Sequence, residues 1–162
     1  MFSHLKTFLL LVIILLLSLN IFFSSPVLAS IRETEEAPGQ VLIQSRHTLQ
    51  DFEGNSWQVV LFKRVKPDHS ASVSLRLVGF PGNVEFSHPQ PLIIAVGSEI
   101  KSAEDMFAQL APAPNVGQYD FTEIITELSP NLSLRLSLPL NNQSLELKVP
   151  SVVVLEWLKV NE

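Results

Sequence analysis

Apolar and polar residues alternate with a period of two along much of the chain after residue 40, a pattern typical of half-buried β-strands. The clearest runs cover residues 73–77, 132–138 and 145–149. Residues 57–65 carry β-branched and aromatic side chains on both faces, which predicts a central strand. Turn-forming residues such as Gly54 and Pro67 separate these runs, so consecutive strands are expected to pair as hairpins.

One helix is predicted over residues 102–110. Ser102 suits the N-cap, and acidic residues occupy the first turn, where the helix dipole favours negative charge. Prolines at positions 112 and 114 would end the helix. Its apolar stripe would consist of Ala103, Met106, Phe107 and Leu110.

The C-terminal residues 152–160 (VVVLEWLKV) are rich in β-branched side chains and predict a closing strand. Residues 121–128 fit either a short helix or a strand. The predicted fold is therefore mainly β: an antiparallel sandwich or a partly open barrel, built as a hairpin meander with one short α-helix near residues 102–110.

The first 29 residues have the form of an export signal. Lys6 provides the positive start, residues 7–23 are almost wholly apolar, and Val27 and Ala29 occupy the −3 and −1 positions of a cleavage site. An uncleaved signal-anchor helix is the alternative, because the apolar stretch approaches the length of a membrane span. The predicted organisation is a signal peptide (1–29), an acidic polar leader (30–40) and a single β-rich domain (41–162), with no transmembrane anchor after cleavage.

Charge and composition narrow the classes of function. The 162-residue chain has a formal net charge of −5, and removal of the signal, whose one charged residue is Lys6, makes the charge −6. The basic residues are scattered through strand-like segments, and an acidic domain repels nucleic acid, so no nucleic-acid partner is expected. The chain has no cysteine. Packing alone must therefore stabilise the core, without disulfides.

The sequence shows no pattern of catalytic or metal-binding residues. The mature histidines His47, His69 and His88 lack the spacing of zinc ligands. No serine stands in a G-x-S-x-G context, and the glycines are too scattered for a phosphate-binding loop. His47 and Asp51 would share one face of a strand, where a surface ion contact is expected. The sequence thus predicts no catalytic residue, no metal ligand and no cofactor.

Two loop regions contain the candidate interaction residues. Both combine proline, glycine and asparagine with one aromatic residue, and binding residues are common in such loops when a rigid scaffold holds them. Plain structural turns are the alternative interpretation. The candidates are Phe80, Pro81, His88, Pro89, Asn115, Tyr119 and Asp120.

Seven short motifs run in order along the mature chain. They are APGQ at 37–40, SRHTLQD-x-x-G-x-x-WQVVLFK at 45–63, LRLVGFPG at 75–82, HPQPL at 88–92, PAPNVGQYD at 112–120, LSLPL at 136–140 and VVLEW at 153–157. Together they resemble an exported cyanobacterial family of uncharacterised proteins, domain of unknown function 3122. The resemblance implies a cyanobacterial source and a location in the periplasm or thylakoid lumen, and it transfers no catalytic residue.

The leading hypothesis is an exported, non-enzymatic accessory or protein-interaction domain with a protein partner in the envelope or photosynthetic membrane. One alternative is a carrier of a small apolar ligand, which needs a cavity inside a β-barrel. A second alternative is a hydrolase whose site is assembled from distant residues, for which a group of catalytic side chains would have to be found.

Overall fold

The structure is a computed structural model that describes residues 31–141 and 143–162. The proposed export signal lies outside these residues. The strands are β1 Arg32–Ala37, β2 Gln40–Gln50, β3 Ser56–Val65, β4 Ala71–Val78, β5 Leu92–Val96, β6 Glu99–Ala103, β7 Val116–Asp120, β8 Leu134–Pro139 and β9 Ser144–Val149. A 3₁₀ turn covers Ile124–Glu127, and the helix α1 covers Ser151–Asn161.

Two antiparallel sheets form the domain, so the predicted mainly β class is confirmed. One sheet has the strand order β1-β2-β3-β4-β7, and the other has the order β6-β5-β8-β9. The sheets are separate, which makes the fold a sandwich and not a closed barrel. The acidic leader contributes β1, an exposed strand at the edge of the five-stranded sheet.

The core lies between the inner faces of the two sheets. Strand pairing places Leu61 between Ser45 and Leu75 on the inner face of the five-stranded sheet. Because successive side chains point to opposite faces, every second residue of these strands faces the core. The residues of the opposite sheet with no exposed surface are Leu92, Ile94, Leu134, Leu136, Leu147 and Val149.

The predicted helix at residues 102–110 is wrong. Ser102 and Ala103 end β6, and the chain then forms irregular turns. The backbone hydrogen bonds explain the difference, because Met106 N donates to Gln118 O and Asp120 N donates to Glu104 O. These groups pair with β7 and so cannot form a helical turn. The apolar stripe is also divided, since Ala103 is buried whereas Leu110 is exposed.

The predicted closing strand at residues 152–160 is also wrong, because this segment forms α1. Its buried residues, Val153, Val154, Trp157 and Val160, recur with the 3.6-residue period of a helix. Pro150 directly precedes the helix, where the missing amide proton of proline costs nothing. Tertiary packing of this apolar face outweighs the strand preference of the valines.

Helix α1 covers the inner face of β2 and β3. The Trp157 ring is fully buried and meets Phe121 edge to face, with ring centroids 6.0 Å apart. At the C-terminal end of α1, Lys63 Nζ donates to the carbonyl of Asn161 over 2.6 Å. A positive charge at this end interacts favourably with the helix dipole. No helix in the described part of the chain is long and apolar enough to cross a membrane.

Replacement of Trp157 by alanine should lower the free energy of unfolding by about 3–5 kcal/mol, because it leaves a large cavity between α1 and the sheets. Leu155→Ala is the matched control, since Leu155 lies on the same helix but is 41% exposed. That variant should lose no more than about 1 kcal/mol. Urea denaturation measures both values, and equal losses would contradict the assigned packing of α1.

Candidate functional site

Three loops meet at one end of the sandwich, and we call residues 51–55, 79–83 and 111–115 the loop end. Gly79 N donates to Asn115 O over 3.0 Å, and Asn115 Nδ2 donates back to Gly79 O over 2.8 Å. The Trp57 ring lies against the same glycine, since a Cβ added at Gly79 would stand 2.9 Å from Trp57 Cζ3. Gly79 is therefore the point at which the loops pack together, and a larger residue would separate them.

Asp51 connects the third loop to this junction. Its Oδ2 accepts a hydrogen bond from Trp57 Nε1 over 3.0 Å, and its Oδ1 accepts bonds of 2.9 Å from the amides of Glu53 and Asn55. Burial opposes the ionised form of Asp51, but the hydrogen bonds from Trp57 and Asn55 outweigh it and hold the pKa below its usual value. The carboxylate thus fixes both the turn and the indole ring.

The sequence-predicted interaction residues occupy different environments. Phe80 and Pro81 are exposed on the loop end, whereas Asn115 is buried as part of the junction. Tyr119 is fully buried in the core, so its side chain has no access to a partner. Asp120 is exposed, and its Oδ1 accepts a hydrogen bond from Thr122 N.

His88 and Pro89, joined by a cis peptide bond, lie beside the turns that follow β6. His88 Nδ1 lies 2.6 Å from Asp105 Oδ2, and Asp105 Oδ1 accepts a hydrogen bond from Phe107 N. His88 Nε2 and Tyr119 Oη are buried and have no hydrogen-bond partner among residues 31–141 and 143–162. Burial, together with the charge of Asp105, raises the pKa of Tyr119. Neither atom is therefore accessible to a substrate in solvent.

A second group of polar side chains lies between β2 and α1. Ser45 Oγ donates to Glu156 Oε1 over 2.6 Å, and His47 Nε2 lies 3.3 Å from the same oxygen. The glutamate stands between the serine and the histidine, so the histidine cannot take the serine proton as it does in a catalytic triad. His47 thus lies beside Glu156 and not Asp51, and the hydrogen bond from Ser45 to Glu156 attaches α1 to β2.

The outer face of the five-stranded sheet forms a groove of about 360 Å³. Arg46, Arg64 and Arg76 line it, and Val60 and Phe62 form its floor. We call it the arginine groove. The sequence did not reveal it, because these arginines are far apart along the chain and converge only through strand pairing. Their even positions on three successive strands of one meander are the signal that could have placed them on one face.

Among the described residues, no group of three or more histidine, aspartate or glutamate side chains is placed to hold a metal ion. A further cleft, between β6 and the residues after β7, is lined by Glu104, Asp120 and Glu123.

The family model described as "Protein of unknown function (DUF3122)" matches residues 29–160. The chain belongs to this family. No curated protein and no solved structure matches this chain. The residues that link the three loops of this DUF3122 domain all lie within the matched range, so the loop end is part of the family region and not an addition to it.

Asp51→Asn in the DUF3122 domain should lower the free energy of unfolding by about 1–3 kcal/mol at pH 7, because the buried hydrogen bonds to Trp57 and the turn weaken. The folded-state pKa is below the unfolded value of about 3.9, so this stabilisation is present above that pH and is lost as the pH falls through the folded-state pKa. Chemical denaturation from pH 7 to pH 2.5 should show the two proteins converging in acid. The exposed control Glu53→Gln should differ little from wild type, and a constant difference for Asp51→Asn would contradict the argument.

Proposed function

We propose that this protein is an exported, non-enzymatic protein-interaction domain that contacts its partner through the loop end. One observation carries the proposal: Phe52 and Phe80 are 82% and 68% exposed on loops that hydrogen bonds and the Trp57 ring hold in place. Aromatic residues are enriched at protein interfaces and dominate the binding energy of many of them.

The fixed loops favour binding on energetic grounds. A flexible loop loses conformational entropy when it binds, and this loss reduces affinity. The two hydrogen bonds between Gly79 and Asn115 and the carboxylate contacts of Asp51 already restrict the loops before a partner arrives. The phenylalanines are therefore presented on a preformed surface, which suits a protein partner.

The contacts of the polar side chains that a hydrolase could use indicate a structural role for them. Glu156 separates Ser45 from His47, and the free nitrogen of His88 is buried. A carrier of an apolar ligand needs interior space, but bulky buried side chains of the sheets, of the helix α1 and of the segment after β7 occupy the interior. The largest of these are Trp57, Trp157, Tyr119 and Phe121.

The proposed location is the periplasm or the thylakoid lumen, with the partner in the envelope or photosynthetic membrane. The proposal rests on the signal-like residues 1–29, the cleavage pattern at Val27 and Ala29, and the resemblance of the sequence motifs to an exported cyanobacterial family. A cyanobacterial source is part of the same proposal.

Site-specific photo-crosslinking in the source cells tests the proposed interface. We expect p-benzoylphenylalanine in place of Phe52 or Phe80 to yield the same crosslinked protein species, because both positions face one partner. The matched control is position 152 on α1, where Val152 is 70% exposed but lies outside the loop end.

The crosslinked chain should begin at Ser30 and be recovered with the exported fraction. A product that forms equally at position 152, or products that contain only lipid, would contradict the proposed protein interface. A chain that retains Met1 would contradict export with cleavage.

A further inference from the structure

The arginine groove arises from the register of three strands. Arg46 on β2 and Arg76 on β4 both pair with Val60 of β3, so they stand in one row on either side of it. Neighbouring strands are about 4.8 Å apart, which places the two Cα atoms about 10 Å from each other. Phe62 and Arg64 follow on the same face of β3. Two long basic side chains therefore flank an apolar floor.

The charges in the groove are not balanced. Arg64 donates to both carboxylate oxygens of Glu36, over 2.7 Å and 3.2 Å, and this bond raises the pKa of the guanidinium. Arg46 and Arg76 have no acidic side chain within ion-pair distance in the described part of the chain. Three arginines and one glutamate leave a local excess of positive charge in a chain whose formal net charge is −5.

Arg76 is held in a fixed orientation. Its guanidinium lies 5.5 Å from the ring centroid of Phe62 and 5.9 Å from that of Phe107. Its Nε and Nη2 atoms both donate to Gln118 Oε1, over 2.9 Å and 2.6 Å. Burial, with the nearby charge of Arg64, lowers the pKa of Arg76. A neutral amide orients this arginine but leaves its charge uncompensated, so an anion would stabilise it.

Size and chemistry together define the ligand. The volume of about 360 Å³ lies within the range of small-molecule sites. The guanidiniums of Arg64 and Arg76 each lie 5.5 Å from the ring centroid of Phe62, and Val60 and the half-buried Val78 form the apolar floor beside that ring. We infer that the arginine groove binds a small organic anion whose carboxylate or phosphate group lies between Arg46 and Arg76, with its apolar part over Val60 and Val78.

The anion would contact Arg46 and Arg76, whereas the proposed protein interface uses Phe52 and Phe80. The two sites adjoin at Pro112, which belongs to the loop end and also lines the groove. Loss of crosslinking at the loop end would leave the groove unaffected. Loss of anion binding would likewise leave the interface unaffected, so the two proposals can fail separately.

Isothermal titration calorimetry of the purified full-length chain with phenylphosphate and with benzoate tests the inference. We expect at least one of these anions to bind, and its affinity to fall about 10-fold or more in Arg46→Ala and in Arg76→Lys, because charge-assisted and forked hydrogen bonds are lost. Arg76→Lys retains the positive charge, and thermal denaturation confirms that each variant is folded. Glu36→Gln should raise the affinity about 2- to 5-fold, since it removes the competing carboxylate.

Arg135→Ala is the matched control, because Arg135 is an exposed arginine on β8 of the other sheet. The affinity of the Arg135→Ala variant for the anion should equal that of the wild type.

Two control ligands test the two parts of the anion. Inorganic phosphate lacks the apolar part and benzyl alcohol lacks the charge, so each should bind more weakly than phenylphosphate. Equal binding of benzyl alcohol, equal binding of inorganic phosphate, or equal losses in Arg46→Ala and Arg135→Ala would overturn the inference.

Discussion

The packing of α1 against β2 and β3 is the interaction on which the rest of the structure depends. A sheet with an apolar inner face must be covered, and the chain has no cysteine with which to stabilise an incomplete core. The four-stranded sheet covers part of the five-stranded one, and α1 covers the inner face of β2 and β3 with Trp157 at the centre. Glu156 and Lys63 attach the helix at two further points. Because the helix and the four-stranded sheet both lie on the inner side of the five-stranded sheet, the outer face of β2, β3 and β4 is left uncovered and forms the arginine groove.

The loop end depends on the same core through Trp57. Its ring packs against the backbone of Gly79 and meets Phe86 edge to face, while its indole nitrogen donates to Asp51. One core residue thereby fixes the β2–β3 turn and the segment that follows β4. The Gly79–Asn115 hydrogen bonds then add the third loop. Exposed phenylalanines on these loops are consequently held by the core and not by the loops' own sequence, which is the arrangement expected of a binding surface on a rigid scaffold.

The alternation of residues was enough to predict most strands, because side chains on a half-buried strand must follow a period of two. The two helix errors have physical causes. At residues 102–110 the amide of Met106 and the carbonyl of Glu104 form hydrogen bonds to β7, which local propensity cannot show. At 152–160 three consecutive valines favour a strand locally, whereas burial of Val153, Trp157 and Val160 on one face stabilises a helix.

The arginine groove could not be predicted from the sequence for a related reason. Arg46, Arg64 and Arg76 are separated along the chain and are brought together only by the register of β2, β3 and β4.

The central claim is that the two faces of the five-stranded sheet have different roles: the inner face stabilises the fold, and the outer face is available for binding. Two-dimensional ¹H–¹⁵N NMR of the labelled chain, titrated with phenylphosphate, tests this most directly. The account predicts that shifts concentrate on outer-face residues, with Arg46, Phe62 and Arg76 and the arginine Nε–Hε groups most affected, while the amides of α1 and β8 stay unchanged. Shifts centred on α1, or spread equally over both sheets, would contradict it.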